Sequence, residues 1–84
     1  MLNETKLHKI SAKLILEKNN NIDKHIFFEN NFINKAFIEL LKESINSYGL
    51  IEKKSCIHKI TESLDKKRDL TVKFKNLTGI DWSL

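Results

Sequence analysis

Asn31-Phe-Ile-Asn-Lys-Ala-Phe-Ile-Glu-Leu-Leu-Lys-Glu-Ser-Ile-Asn-Ser-Tyr-Gly49 is the stretch on which the fold turns. Asn31 is a competent N-cap, because its side-chain oxygen can accept from the free N–H groups of a first helical turn. Gly49 stands where a left-handed residue would end a helix, with Leu50 and Ile45 placed for the apolar contact of a Schellman cap. Between these signals, Ile33, Phe37, Leu40, Leu41, Ser44 and Tyr48 fall on one helical face. Ile38 and Ile45 widen that stripe sideways. A helix apolar on more than one side needs more than one neighbour.

Working outward, Glu4 to about Lys18 reads as a first helix with Leu7, Ile10, Leu14 and Ile15 on its inner face. Leu16 points off that face, so it is either exposed or meets a second surface. The run Asn19-Asn20-Asn21 ends the helix, since Asn tolerates the left-handed conformation. From Ile22 to Asn30 the pattern is open: Asp23 could cap a short helix, or Ile26-Phe27-Phe28 could be extended. Beyond the glycine turn a third helix is expected from near Glu52, burying Cys56, Ile57, Ile60 and Leu64. Glu62 and Lys66 on its outer face stand at a favourable i,i+4 spacing.

The C-terminal stretch supports two readings. Leu70, Val72 and Phe74 alternate with polar residues, and Ile80, Trp82 and Leu84 do so again, as in a β-hairpin. Leu70, Phe74 and Leu77 also fit a helix, with Asp69 as cap and Gly79 as stop. A lone hairpin is marginal in water, which favours the helix. The expected fold is mostly α: one domain over residues 1–84, a small antiparallel bundle of three helices plus a tail that is a fourth helix or a short hairpin.

Composition narrows the function classes. The chain has no proline and two glycines, which suits uninterrupted helices. Its single cysteine, Cys56, cannot form an intramolecular disulfide and supplies no cysteine-based zinc cluster, so a reducing cytoplasmic setting is expected. The opening Met-Leu-Asn-Glu-Thr-Lys has no apolar h-region, and no apolar run approaches the ~20 residues of a membrane span. No secretory signal and no membrane partner are therefore expected.

Candidate chemistry is sparse. His8, His25 and His58 lie on separate segments, and Cys56 and His58 at i,i+2 diverge on a helix. No metal or cofactor is expected. A phosphate-binding glycine loop, paired carboxylates and a nucleophile–histidine order are all missing, so neither an enzyme nor a small-molecule substrate is expected. The net charge of +4 suggests an anionic partner, but Arg68 is the one arginine among fifteen basic residues.

The central helix, its glycine turn and the next helix together resemble a helix-turn-helix. Lys53, Lys54, Ser55, His58 and Lys59 would then face DNA, with Lys66, Lys67 and Arg68 as a second basic spot. That motif, however, wants a small residue where Ile45 stands and apolar residues where Ser55 and His58 stand. Asn34-Lys35, Ile38, Leu41, Ile51, Ile57, Lys59 and Glu62 together resemble the YmgB/AriR family of small bacterial helical regulators. The resemblance implies a compact helical homodimer that affects gene expression through DNA or signalling proteins.

The expected function is a non-enzymatic regulator or adaptor, homodimeric, with Phe27, Phe28, Ile38 and Ile45 as the apolar interaction surface. The alternatives are a nucleic-acid-binding regulator using Lys53, Lys54, His58 and Lys59, or a small inhibitor from a mobile element that docks on a host protein.

Overall fold

The computed structural model describes residues 4–17 and 21–82. Helix α1 spans Glu4–Glu17, a 3-10 helix spans Ile22–Lys24, α2 spans Asn31–Glu52 and α3 spans Ile57–Thr78. Among the described residues there is no strand. Helices α2 and α3 form an antiparallel hairpin, and α1 and the 3-10 helix pack on α2. Lys18, Asn19, Asn20 and Leu84, which figure in the sequence reading, lie outside the described residues.

The cap of α2 is Asn30, one residue before the expected Asn31. Its Oδ1 accepts from the N–H groups of Phe32 (2.9 Å) and Ile33 (3.1 Å). The Ile22 to Asn30 stretch is neither a full helix nor a strand. It follows the 3-10 turn as irregular backbone tied to α2 by Asn34. The Asn34 Oδ1 accepts from the N–H groups of Phe27 (2.7 Å) and Phe28 (3.1 Å), while its Nδ2 donates to the His25 carbonyl (3.2 Å). One amide thus satisfies three backbone groups that no ladder serves, and it holds Phe27 and Phe28 against the helix.

Phe37 is the centre of the core. Phe27, Phe28 and Trp82 meet it edge to face, with ring centroids at 5.0, 5.5 and 5.0 Å, and Phe74 lies tilted at 5.2 Å. Such offset aromatic pairs add to simple area burial. Leu7, Leu14, Ile15, Ile22, Leu40 and Leu41 complete the packing. On α1, Ser11 takes the buried position expected of Ile10, and Leu16 is exposed.

Three expectations are corrected. Gly49 does not end α2. The helix continues to Glu52, and Lys54 takes the left-handed conformation instead (φ 53°). Gly costs only about 1 kcal/mol inside a helix, and of the three residues beyond it Leu50 is half-buried while Ile51 and Glu52 are exposed. Second, α3 starts at Ile57, not near Glu52, and its buried positions are Ser63 and Phe74, with Ile60, Lys67 and Leu70 half-buried. Cys56 and Ile57 are exposed and Leu64 lies at the edge. Phe74 must enter the aromatic cluster, and that rotation carries Ile57 and Leu64 outward.

Third, the C-terminal stretch is neither a fourth helix nor a hairpin. Residues 70–78 are the last turns of α3. Gly79 is the stop, at φ 77°, and its N–H bonds the Lys75 carbonyl (2.6 Å). Thr78 Oγ1 donates to the Phe74 carbonyl and accepts from the Ile80 N–H. The chain then folds back, Asp81 pairs with Lys75 (2.8 Å), and Trp82 enters the core.

Candidate functional site

The expected apolar surface is not a surface. Phe27, Phe28 and Ile38 are buried in the monomer and Ile45 packs half-buried against the core. The Asn34 clamp is the reason for the first two. Exposed apolar residues lie elsewhere: Leu16 and Ile10 on α1, Val72 and Leu77 on α3, and groups toward the two ends of the hairpin.

At its closed end, Tyr48 and Ile51 on α2 are 43 % and 47 % exposed, and Leu64 and Ile57 on α3 are 43 % and 77 % exposed. The α2 pair belongs to a longer row. Phe37, Leu41, Ser44, Tyr48 and Ile51 stand at i, i+4, i+7, i+11 and i+14, the spacing of a stripe that packs on another helix. The first three members are fully buried and the last two are not. Across the seam, the Lys67 ammonium lies 5.0 Å from the centre of the Tyr48 ring. Lys67 neighbours Leu64 one turn away, so the apolar residues of both helices share one side of the hairpin. Burial lowers the pKa of the Lys67 ammonium below the ordinary lysine value.

Basic residues rim this end. The turn is closed by the Lys53 N–H to Gly49 carbonyl bond (3.1 Å) and the Ser55 N–H to Leu50 carbonyl bond (3.0 Å). Lys53, Lys54, His58 and Lys59 are exposed there, and the three lysines form no ion pair among the described residues. The second basic spot does not gather. Lys66 pairs with Glu62 (4.0 Å, the expected i,i+4 pair), Arg68 pairs with Asp65 (3.8 Å), and Lys67 turns inward to Tyr48.

Between the closed end and the aromatic cluster, the two helices are joined by polar side chains. Ser63 Oγ donates to Glu43 Oε2 (2.5 Å), Ser47 Oγ lies 2.7 Å from Ser63 Oγ, and Asn46 Nδ2 reaches both Glu43 (2.9 Å) and Ser63 (3.1 Å). The sequence reading missed this group. Its one available signal was serine at positions 47 and 63, where an apolar side chain would serve a buried seam equally well.

The histidines and the cysteine do not converge. His8 stacks on Trp82 at 4.7 Å, His25 Nδ1 lies 3.2 Å from the Asn21 carbonyl oxygen, His58 is exposed on α3, and Cys56 is exposed just before it. Among the described residues, no group of three or more His, Cys, Asp or Glu side chains is placed to hold a metal ion. No helix among them is long and apolar enough to cross a membrane. Comparison with family models, curated proteins and solved structures gives no match. The resemblance to the YmgB/AriR family therefore stays a likeness in the residues quoted above.

Proposed function

We propose that the chain is a small non-enzymatic regulator or adaptor that works through helical protein–protein contacts, with another protein and with a second copy of itself. The observation that carries this reading is the heptad-spaced stripe of α2, which runs on through Tyr48 and Ile51 after the core that covers it has ended. At the opposite end, Phe32 is 82 % exposed and Ile26 is similarly bare, an apolar pair available for self-association.

Two measurements test the reading. Light scattering at micromolar concentration should give twice the 9.9 kDa chain mass, and Phe32→Ser should halve it. A monomer mass for the unaltered protein removes the dimer. Affinity capture from the native cell, read by mass spectrometry, should return a protein partner that the unaltered chain retains and a scrambled chain does not.

A second reading, nucleic-acid binding, is favoured by Lys53, Lys54 and Lys59 at the hairpin turn, which are exposed and form no ion pair among the described residues. Non-specific contact of this kind has a Kd of ~10⁻⁴–10⁻⁶ M near physiological salt, and it weakens steeply as salt rises. Fluorescence anisotropy with duplex DNA distinguishes the two. Nanomolar, sequence-selective binding at ~150 mM salt would put the second reading first.

A further inference from the structure

We propose that two copies of the chain pack face to face through the side of the α2–α3 hairpin that carries Glu39 and Lys73, each laying its α2 over the other's α3. The proposal rests on the self-association in the adaptor reading and names the face and the pairing.

Phe32, Glu39 and Glu43 stand at i, i+7 and i+11 on α2, and Leu70, Lys73 and Leu77 at i, i+3 and i+7 on α3. Each set therefore occupies one side of its helix. The two sides adjoin across the seam. Lys73 pairs with Glu39 (3.9 Å), and Leu70 shares with Glu39, Glu43 and Asn46 the lining of an open groove of about 420 Å³. The register that joins Ser47 to Ser63, Phe37 to Phe74 and Glu39 to Lys73 brings Phe32 level with Leu77. Phe32 and Leu77 are exposed, and Leu70 is half-buried.

The face is complementary to itself. A two-fold axis along the seam keeps every residue at its own height and exchanges the helices. Each Phe32 then meets the second copy's Leu77, and each Glu39 meets the second copy's Lys73. The Glu39–Lys73 pair within one chain is long and its side chains are about half exposed, so both groups can serve a second partner. Further from the seam, Asp69 on α3 forms no ion pair among the described residues. At the matching place on α2 stands Lys42, which pairs with Asp23 within the chain (2.5 Å). All neighbouring helices in the dimer are antiparallel, as in an up-down four-helix bundle.

Both helices have 22 residues, so the face is about 33 Å long and about 20 Å wide. Covering it takes roughly 600 Å² from each copy, at the lower end of specific interfaces. Nucleic acid is disfavoured here, because Glu39, Glu43, Glu62 and Asp69 all stand on this side.

Sedimentation of charge-swapped chains tests the pairing. Glu39→Lys and Lys73→Glu should each weaken the dimer at least about tenfold, by setting like charges against each other at two places. Mixing the two variants in equal amounts should restore it, since every contact between unlike chains is again Lys against Glu. Within each chain the pair remains broken, so recovery reads the contact between copies alone. Phe32→Ser/Leu77→Ser should also weaken the dimer about tenfold or more at unchanged helical content, since neither residue is in the core.

A monomer mass for the unaltered protein overturns the proposal and the dimer in the adaptor reading together. A dimer that survives the charge swaps, or swaps that weaken it without recovery on mixing, overturns the proposal and leaves that dimer standing. Loss of the dimer in Ile57→Ser/Leu64→Ser instead moves the contact to the closed end and overturns the proposal as well.

Discussion

The two ends of the α2–α3 hairpin are built from the same two helices and hold together by different physics. At the open end, Phe37 and Phe74 face each other within a cluster that also takes Phe27, Phe28 and Trp82. Toward the closed end the seam passes to Glu43, Asn46, Ser47 and Ser63, joined by hydrogen bonds, and the apolar residues move outside. Apolar contact is non-directional and tolerates several arrangements, whereas the serine–glutamate group is satisfied in one register only. One end supplies most of the stability. The other fixes the alignment of the helices and leaves a surface free.

Truncating the aromatic cluster should do the most damage. Phe74→Ala is expected to cost about 3–5 kcal/mol in urea unfolding. It should also shift the emission of Trp82, the chain's single tryptophan, toward that of an exposed indole in the folded state. A loss under 1 kcal/mol would show that the two ends are not as unequal as described. On the polar seam, Ser63→Ala should cost about 1–3 kcal/mol, because it leaves Ser47 and Glu43 without their shared partner. Chemical denaturation of Ser47→Ala alongside the double variant measures the coupling, and additive effects would mean that the group does not act as one.

The glycines sharpen the contrast with opposite signs. Gly79 holds a left-handed backbone, so Gly79→Ala should destabilise by about 1 kcal/mol. Gly49 lies inside α2 with open space where a Cβ would stand, so Gly49→Ala should stabilise by about 0.5–1 kcal/mol. Melting temperatures of the two variants decide it, and a loss at position 49 would restore the glycine turn that the sequence suggests.

The smallest effect concerns Lys67. Burial lowers its pKa in the folded state, so between that value and the ordinary 10.5 the unfolded chain binds more protons. Its contribution therefore makes stability rise with pH through that window. The melting-temperature advantage of Lys67→Met at neutral pH should shrink as pH approaches 10.5. An advantage that stays constant would mean that the Tyr48 ring compensates the buried charge fully at every pH.

Much of this architecture is legible locally. Leu7, Leu14 and Ile15 on the inner face of α1, the existence of α2, and the stop at Gly79 follow from spacing and cap chemistry. What local reading misplaced were boundaries and rotations. Two adjacent asparagines, Asn30 and Asn31, offer the same cap, and Gly49 mimics a stop that the helix passes through. The candidate surface suffered most. Phe27 and Phe28 look surplus beside a helix already rich in apolar residues, and only the Asn34 side chain, reaching six and seven residues back, turns them inward.

By itself the sequence determined that the chain is mostly helical, since helical periodicity, the absence of proline and the scarcity of glycine are properties of neighbouring residues. Tertiary structure decided which faces those helices bury. Phe74 can join the aromatic cluster only if α3 is rotated so that Ser63 meets Glu43 and Ser47 and so that Ile57 and Leu64 turn out to the edge. A face is buried by what packs against it, and that partner lies up to tens of residues away along the chain, beyond the reach of any local pattern.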